Sequence, residues 1–377
     1  MPCRAQQLLD LGQSVWLDYI HRRELQSGVF SAQVRDQGVV GVTSNPTIFQ
    51  QAIGQGSDYD AAIRERLARR LAGVPLYESL AIEDVQTACD ALLPVFGRSG
   101  GLDGRVSIEV NPRLAHDTDG TVEEARRLKA AVDRANVMIK VPATTEGVPA
   151  VRTLIAEGTC VNVTLIFSLA RYEQVMEAYL SGLELRSAEG RPLEPVVSVA
   201  SFFVSRVDGK VDAAIEQRLA TLPANSVEHV ELADLRGQAA VANAKLAYAR
   251  FREVFDTPRF HALAARGARV QRPLWASTST KNPAYSDTLY VDELIGPDTV
   301  NTIPPGTLAA YNDHGVLDPR LLRGVDEARA LFRRLPELGV PVDGLIGQLE
   351  EEGVVAFAKS FDSLLATLEE KRARMAG

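Results

Sequence analysis

Short apolar runs recur along the chain, and segments with helical spacing lie between them. A continuous apolar run bounded by polar turn residues is typical of a parallel strand that is buried on both faces. The runs of this kind predict eight strands, at residues 14–20, 39–43, 106–110, 137–142, 160–167, 195–203, 273–277 and 299–303.

The intervening segments repeat apolar residues every three or four positions, which is the spacing of an amphipathic helix. The clearest of them lie at residues 121–135, 208–222 and 235–255. From Val354 onward, the tail repeats apolar residues at Phe357, Phe361, Leu364 and Leu368 before it becomes charged. The tail is therefore expected to form a closing amphipathic helix.

Eight strands alternating with helices predict a (β/α)8 TIM barrel, which needs about 250 residues without insertions. The intervals 45–105 and 206–272 each contain more than one helical pattern, so extra helices are expected after strands 2 and 6. No Ser-, Gly- or Pro-rich linker divides the chain, and residues 1–377 are expected to form a single domain. A doubly wound open sheet is the alternative, because the number of strands does not by itself show closure.

Three of the apolar runs contain one ionisable residue each, near the carboxyl end: Asp18, Glu109 and Lys140. An unpaired ammonium inside the run VMIKVP would cost several kcal/mol. Taken alone, each residue could be a strand-end side chain that extends to solvent, or half of a structural ion pair. In a barrel, however, the carboxyl ends of all strands meet at the catalytic mouth. A desolvated amine beside two carboxylates favours a lysine that attacks a carbonyl carbon, with the acids moving the protons.

Polar residues also end the second strand and lie within the fifth. Thr43 and Asn45 end the run GVTSNP, where a turn leading into a helix cap is the alternative explanation. Asn162 and Thr164 are separated by one apolar residue, so they share one face of their strand. If that face is the barrel interior, both side chains enter the site.

The sixth and seventh strands end with residues that suit a phosphate group. Ser201 lies in the run SFFVSR, and Arg206 follows it as a natural phosphate ligand, although a surface arginine at a helix start explains it equally well. The run WASTSTK is rich in hydroxyl groups and ends at Lys281. Loops after the last two strands of such barrels often bind phosphate.

The bulk composition excludes several classes of protein. With 46% hydrophobic and 24% charged residues and a formal net charge of −8, the chain is an ordinary globular protein and a poor nucleic-acid binder. Its 3 cysteines and 5 histidines are scattered, so we expect no disulfide framework, no metal and no cofactor. Gly54 and Gly56 lack the third glycine of a dinucleotide-binding loop. Neither a signal pattern nor a membrane-length apolar run is present, which predicts a cytoplasmic protein without a membrane partner.

Several of these motifs resemble those of the transaldolase family. The segment GVTSNPTIF (41–49) is similar to the first signature of the family, and VMIKVPATTEGVPAVRTLIAEGTCVNVTLIFS (137–168) looks like its lysine segment. The similarity continues in order through SVWLDYI, SIEVNPRLAHDT, ASFFVSRVD and WASTSTKNPAYSDTLYVDELIGPDTVNTIPPGTL. It covers essentially the whole chain and is closest to the longer bacterial members.

This resemblance implies an enzyme that transfers a dihydroxyacetone unit between sugar phosphates in the non-oxidative pentose phosphate pathway. Sedoheptulose 7-phosphate and glyceraldehyde 3-phosphate would give erythrose 4-phosphate and fructose 6-phosphate. Lys140 would form the Schiff base, Asp18 would take the hydroxyl proton during cleavage, and Glu109 and Thr164 would hold the reacting water. The expected substrate-binding residues are Thr43, Asn45, Asn162, Ser201, Phe203, Arg206, Ser277 and Lys281.

The chain departs from the family at one point. Many members have a second phosphate-binding arginine after the seventh strand, and the run ASTSTKNP has none. Either Lys281 replaces it as a point charge, or Ser279 and Thr280 donate hydroxyl groups instead.

Two other functions fit the same residues. A class I aldolase or lyase acting on fructose 6-phosphate would use the same lysine but would release the three-carbon unit. A catalytically inactive barrel used as a binding module is disfavoured, because Asp18, Glu109 and Lys140 are all present. We expect small sugar phosphates as the only ligands, and a monomer or a homodimer.

Overall fold

In the computed structural model, which describes residues 2–376, eight parallel strands close into a barrel in chain order. Each strand pairs with the next, and the last strand pairs with the first through the register Gln13↔Thr299 to Leu17↔Ile303. The predicted (β/α)8 barrel is confirmed, and the open sheet is excluded. The strands are β1 (Gln13–Leu17), β2 (Val39–Val42), β3 (Arg105–Glu109), β4 (Val137–Pro142), β5 (Val161–Ile166), β6 (Ser198–Phe203), β7 (Arg272–Ala276) and β8 (Thr299–Ile303).

Some predicted strands extend too far at their ends. Asp18 lies directly after β1 rather than within it, and residues 195–197 precede β6. Ser277 follows β7 with a left-handed φ of 58°, which lies outside the β region. At these ends the apolar pattern continues for a few residues beyond the hydrogen-bonded strand and into the loop.

Helices surround the barrel. Three of them fill the described segment between β2 and β3, and four lie between β6 and β7. The helices are α1 (Arg4–Leu8), α2 (Arg22–Ser27), α3 (Val29–Asp36), α4 (Pro46–Gly54), α5 (Asp60–Ala68), α6 (Gly73–Arg98), α7 (Thr118–Val132), α8 (Gly147–Glu157), α9 (Leu169–Ala188), α10 (Ser205–Leu219), α11 (Val227–Asp234), α12 (Ala239–Phe255), α13 (Pro258–Ala264), α14 (Leu289–Glu293), α15 (Pro305–His314), α16 (Val325–Glu337) and α17 (Val342–Ala376). Single turns of 3-10 helix cover Leu9–Leu11 and Pro112–Leu114.

The C-terminal helix α17 starts earlier than the sequence pattern predicts, at Val342 instead of Val354, and it is 35 residues long. It packs against α4, α10 and the end of β5. Helices α4 and α10 begin at the carboxyl ends of β2 and β6, and Phe357 of α17 lines a cavity at these ends, so α17 lies over the mouth. None of the helices within residues 2–376 combines the length and apolar character that crossing a bilayer requires.

Close packing fixes the shape of the barrel between β1 and β2. The Trp16 indole is fully buried, and a Cβ atom on Gly41 would lie 2.6 Å from its ring atoms. Only glycine fits at this position, because real Cβ contacts are much longer. The backbone of β2 can therefore approach β1 closely and carry Thr43 to the mouth.

Candidate active site

Strand register brings three of the predicted residues to one level of the barrel. Glu109 of β3 is the partner of Lys140 of β4, and Lys140 is the partner of Asn162 of β5. Partner residues on neighbouring strands point to the same face, so the three side chains lie next to each other inside the barrel. The level is near the carboxyl ends of the strands, where barrels of this type carry their chemistry.

Lys140 is buried, with 5% of its surface exposed. Its Nζ atom lies 3.5 Å from Glu109 Oε2 and donates to the Ser44 carbonyl oxygen at 3.4 Å. The Phe357 ring, from α17, is centred 5.6 Å from the same atom. Both polar distances exceed those of a good charge-assisted hydrogen bond. The amine is therefore held in place by weak contacts only, and it remains available to react with a ligand.

Glu109 is a carboxyl group that changes its charge near neutrality. Burial raises its pKa to about 7, and the nearby Lys140 ammonium opposes that rise. Its Oε2 atom is buried and forms no hydrogen bond with the part of the protein that the structure describes. A carboxyl group with this pKa can both accept and donate a proton at physiological pH.

Asp18 is the second acid at the mouth. It accepts a hydrogen bond from Thr43 Oγ1 at 2.9 Å, and the Thr43 and Thr302 hydroxyls are 2.6 Å apart. Burial raises the pKa of Asp18, while Lys140 and the Thr43 hydrogen bond act in the opposite direction. These contacts fix the carboxylate in orientation and keep it within electrostatic range of the amine.

A polar row crosses the interior from β3 to β6. Ser201 Oγ donates to Asn162 Oδ1 at 2.7 Å, and Asn162 Nδ2 donates to Ser107 Oγ at 3.0 Å. Thr164 is fully buried, and its hydroxyl has no hydrogen-bond partner within residues 2–376. An unpaired buried hydroxyl costs about 1–3 kcal/mol, so its presence here points to a polar ligand.

A cavity of about 350 Å³ opens above these residues, large enough for a sugar phosphate. Ten of the twelve predicted site residues line it, and Glu109 and Asn162 lie directly behind. The lining residues from the prediction are Asp18, Thr43, Asn45, Lys140, Thr164, Ser201, Phe203, Arg206, Ser277 and Lys281.

The outer part of the cavity carries the positive charge. Arg206, at the start of α10, stacks on the Phe203 ring with its guanidinium carbon 5.4 Å from the ring centre. Lys281 is exposed at the rim and donates to Ser279 Oγ at 2.6 Å. Thr280 instead donates to the Ser286 carbonyl outside the cavity. Of the three residues that could replace the missing second arginine, Lys281 and Ser279 line the cavity and Thr280 does not.

Asn45 caps a helix and also lines the cavity. Its side chain accepts from the Ile48 amide at 2.9 Å and caps α4, with Pro46 at the first helical position. The helix-cap explanation of Asn45 is therefore correct, and the same conformation leaves the residue in the lining of the cavity.

Sequence reasoning missed several cavity residues. Phe357 was assigned only to the apolar face of the closing helix, and Thr302, Thr47 and Gln51 were not considered. Thr302 lies in a strand with other buried polar residues, which was an available signal. Nothing local to Phe357 distinguishes it from its neighbours on the helix. Within residues 2–376, no group of three or more His, Cys, Asp or Glu side chains is arranged to hold a metal ion.

Comparison with known proteins identifies the family. Residues 15–368 match the family model described as Transaldolase/Fructose-6-phosphate aldolase. The chain is 49% identical to "Transaldolase" of Parafrankia sp. (strain EAN1pec), over 96% of this chain and 95% of that protein. It is 48% identical to "Transaldolase" of Mycobacterium tuberculosis (strain CDC 1551 / Oshkosh), over 97% and 95%, respectively. The chain therefore belongs to the transaldolase/fructose-6-phosphate aldolase family, and it is an enzyme of the transferase class.

Proposed function

We propose that this enzyme transfers a dihydroxyacetone unit from a ketose phosphate to an aldose phosphate through a Schiff base on Lys140. The donor is sedoheptulose 7-phosphate or fructose 6-phosphate, and the acceptor is glyceraldehyde 3-phosphate or erythrose 4-phosphate. The reaction belongs to the non-oxidative pentose phosphate pathway in the cytoplasm and uses no cofactor. The observation that carries the proposal is the buried Lys140 amine, which makes only long polar contacts and lies in a cavity that also contains Asp18.

Imine formation is the first step. The neutral Lys140 amine attacks the ketose carbonyl carbon, and the carbinolamine then loses water. Glu109 lies 3.5 Å from the amine and, with its pKa of about 7, can supply and recover the proton that this step requires. Within the described residues, the Thr164 hydroxyl and Glu109 Oε2 form no hydrogen bond, which supports their proposed role in holding the reacting water.

Carbon–carbon cleavage is the second step. The iminium withdraws electrons from the adjacent carbon, so the bond beyond the hydroxyl-bearing carbon breaks when that hydroxyl loses its proton. Asp18 is the proposed base, oriented by the Thr43 hydroxyl at 2.9 Å. The aldehyde product leaves, and the three-carbon enamine stays bound to Lys140 until an acceptor aldehyde arrives. A covalent intermediate of this kind predicts ping-pong kinetics.

Substrate orientation follows from the polar row and the rim. Asn45, Asn162 and Ser201 are proposed to bind the hydroxyls of the three-carbon unit. Arg206 and Lys281, which line the same cavity, are proposed to bind the phosphate. Burial of Arg206 lowers its pKa from the ordinary value, which is a measure of the desolvation that a bound phosphate dianion would offset.

The test separates transfer from release. Fructose 6-phosphate is supplied alone and then with erythrose 4-phosphate, and free dihydroxyacetone and sedoheptulose 7-phosphate are quantified. Turnover only after the acceptor is added supports the transferase, and steady dihydroxyacetone release without acceptor supports the lyase that shares this family.

Borohydride trapping locates the covalent bond. With fructose 6-phosphate, reduction should add the three-carbon fragment to the peptide containing Lys140, as measured by mass spectrometry. Lys281→Ala, which removes the other lysine lining the cavity, should still trap at saturating donor. Asp18→Ala should trap the donor imine but cleave it poorly. Wild-type protein with Lys140 unmodified would refute the Schiff base.

A further inference from the structure

The long helix α17 approaches the end of β5 unusually closely. A Cβ atom on Gly353 would lie 3.1 Å from Leu165 Cδ2 and 3.3 Å from the Phe167 ring. Leu165 itself has a left-handed φ of 61°, at the point where the β5–β6 register shifts. The glycine on the helix and the irregularity in the strand together allow α17 to lie directly over the barrel mouth.

One helical turn further on, the same face of α17 carries Phe357. Its ring is centred 5.6 Å from Lys140 Nζ and 6.5 Å from the Phe203 ring, which it meets edge to face. Phe203 in turn packs at 5.0 Å against Phe167. These three rings form an aromatic wall beside the amine, and Phe357 is only 6% exposed.

The position of the ring is fixed by contacts on both sides of it. Ser360, on α17, accepts a hydrogen bond from Thr47 at 2.9 Å, and Phe361 packs against Tyr77 at 5.6 Å. Near the end of the helix, Lys371 pairs with Asp60 at 2.7 Å. These contacts hold α17, and with it the Phe357 ring, against the mouth of the barrel.

We propose that Phe357 is a specificity-determining residue that keeps bulk water away from the enamine on Lys140 and so favours transfer over release. The inference rests on the Schiff-base function proposed above, which it deepens. The rate at which the three-carbon unit is lost depends on how easily bulk water reaches the adduct, and an apolar ring centred 5.6 Å from the nitrogen blocks that approach.

The competing reaction needs only water. The terminal carbon of the enamine accepts a proton, the oxygen of a water molecule adds to the iminium carbon, and the carbon–nitrogen bond then breaks. Free dihydroxyacetone leaves, and Lys140 recovers its proton. Transfer instead forms a bond from the same enamine carbon to the acceptor aldehyde. The two outcomes diverge at the enamine: a proton delivered from water to its terminal carbon leads to release, and attack of that carbon on the aldehyde leads to transfer. Their ratio therefore reports how readily bulk water reaches that carbon.

The experiment measures the ratio of dihydroxyacetone release to transfer with fructose 6-phosphate and a fixed concentration of erythrose 4-phosphate. Phe357→Ala and Phe357→Gln should each raise this ratio about tenfold or more, because both open the wall to water. Phe357→Leu should stay within about twofold of the wild type, because it retains apolar volume. If the alanine variant does not fold, the glutamine variant decides the question.

Leu364→Ala is the matched control for loosening of the helix. Leu364 is a fully buried residue of α17 that does not line the cavity. This variant should melt at a lower temperature but keep the wild-type ratio. A ratio that rises as much as in Phe357→Ala would show that helix docking, and not the ring, excludes water, and the inference would be wrong.

Borohydride trapping in each variant separates the two proposals. Trapping at Lys140 with an unchanged ratio in Phe357→Ala overturns this inference and leaves the Schiff-base mechanism standing. Absence of trapping in the wild type overturns both.

Discussion

At the amino-terminal end of the barrel, Arg272 and Asp103 form a buried ion pair, and at the carboxyl-terminal end Lys140 and Glu109 form another. The nitrogen–oxygen distance is 2.9 Å in the first pair and 3.5 Å in the second. Asp103 also accepts hydrogen bonds from Ser14 at 2.9 Å and, more weakly, from the Trp16 indole at 3.4 Å. Glu109 Oε2 has no hydrogen bond within the described residues.

The difference distinguishes an ion pair that stabilises the fold from an ion pair that is available to a ligand. A buried charge is tolerable when hydrogen bonds occupy its donors and acceptors, and Asp103 meets that condition on both carboxylate oxygens. The Lys140–Glu109 pair leaves the amine and one carboxylate oxygen open to a ligand, at a cost in folding free energy. In barrels of this type, the amino-terminal face commonly supports stability and the carboxyl-terminal face supports catalysis, and the two pairs follow that division.

The largest expected effect is that of Lys140→Met. Transfer should fall by about 10⁴-fold or more, because the variant lacks the amine that forms the covalent adduct. The free energy of unfolding at pH 6 should change little, since Glu109, with its pKa of about 7, is then mostly neutral. A coupled assay and urea unfolding measure the two quantities. Lys359→Met, at an exposed position of α17, is the control and should alter neither.

Arg272→Met should give the opposite pattern. Removing one partner of a well-bonded buried pair is expected to cost about 3–5 kcal/mol, because Asp103 is left buried and unpaired. The folded fraction should retain the wild-type kcat. Arg35→Met removes an exposed pair with Asp36 and should leave the free energy of unfolding almost unchanged, because solvent screens that pair. Loss of kcat without loss of stability in Arg272→Met would break the comparison.

The mouth should also show a pH dependence that depends on Glu109. Its pKa is raised from 4.5 to about 7 in the folded protein, so the folded state binds the extra proton between these values. Stability from this group is therefore present at low pH and lost as pH rises through 7. Relative to Glu109→Gln, the wild type should lose roughly 3 kcal/mol between pH 5 and pH 8. Parallel stability curves for the two proteins would contradict this assignment.

The smallest effects compare two buried hydroxyls. Ser14→Ala at the amino-terminal end should cost about 1–2 kcal/mol, because Arg272 and Asp103 each lose a hydrogen bond. Thr164→Val at the mouth should be neutral or slightly stabilising, since the hydroxyl it removes is unpaired. The initial rate should show the opposite pattern: it should fall in Thr164→Val and stay at the wild-type value in Ser14→Ala. Thermal unfolding and initial rates decide both points.

The mouth was more accessible to sequence reasoning than the opposite end. Asp18, Glu109 and Lys140 stand out because each interrupts an apolar run, and the run marks the strand that carries it. Arg272 and Asp103 lie at the edges of such runs, where charged residues are ordinary. Their pairing joins residues that are 169 positions apart, and no local pattern records it.

The aromatic wall was beyond prediction for the same reason. Periodicity correctly placed Phe357 on the buried face of a helix, but every apolar residue on that face satisfies the same pattern. Its position over Lys140 depends on the close approach of Gly353 to β5 and on the irregular backbone at Leu165.

The sequence by itself determined the order of strands and helices, the closed barrel as the leading fold, and the three charges that its strands carry to one end. These features follow from local periodicity and from the rule that parallel strands bring their carboxyl ends together. Only the tertiary structure decided which charged groups are well hydrogen-bonded, which oxygen atoms lack a hydrogen bond, and which ring lies beside the amine. Those properties depend on distances between segments far apart in the chain, such as the 96 positions between Ser44 and Lys140, and a difference of about half an ångström changes their chemistry.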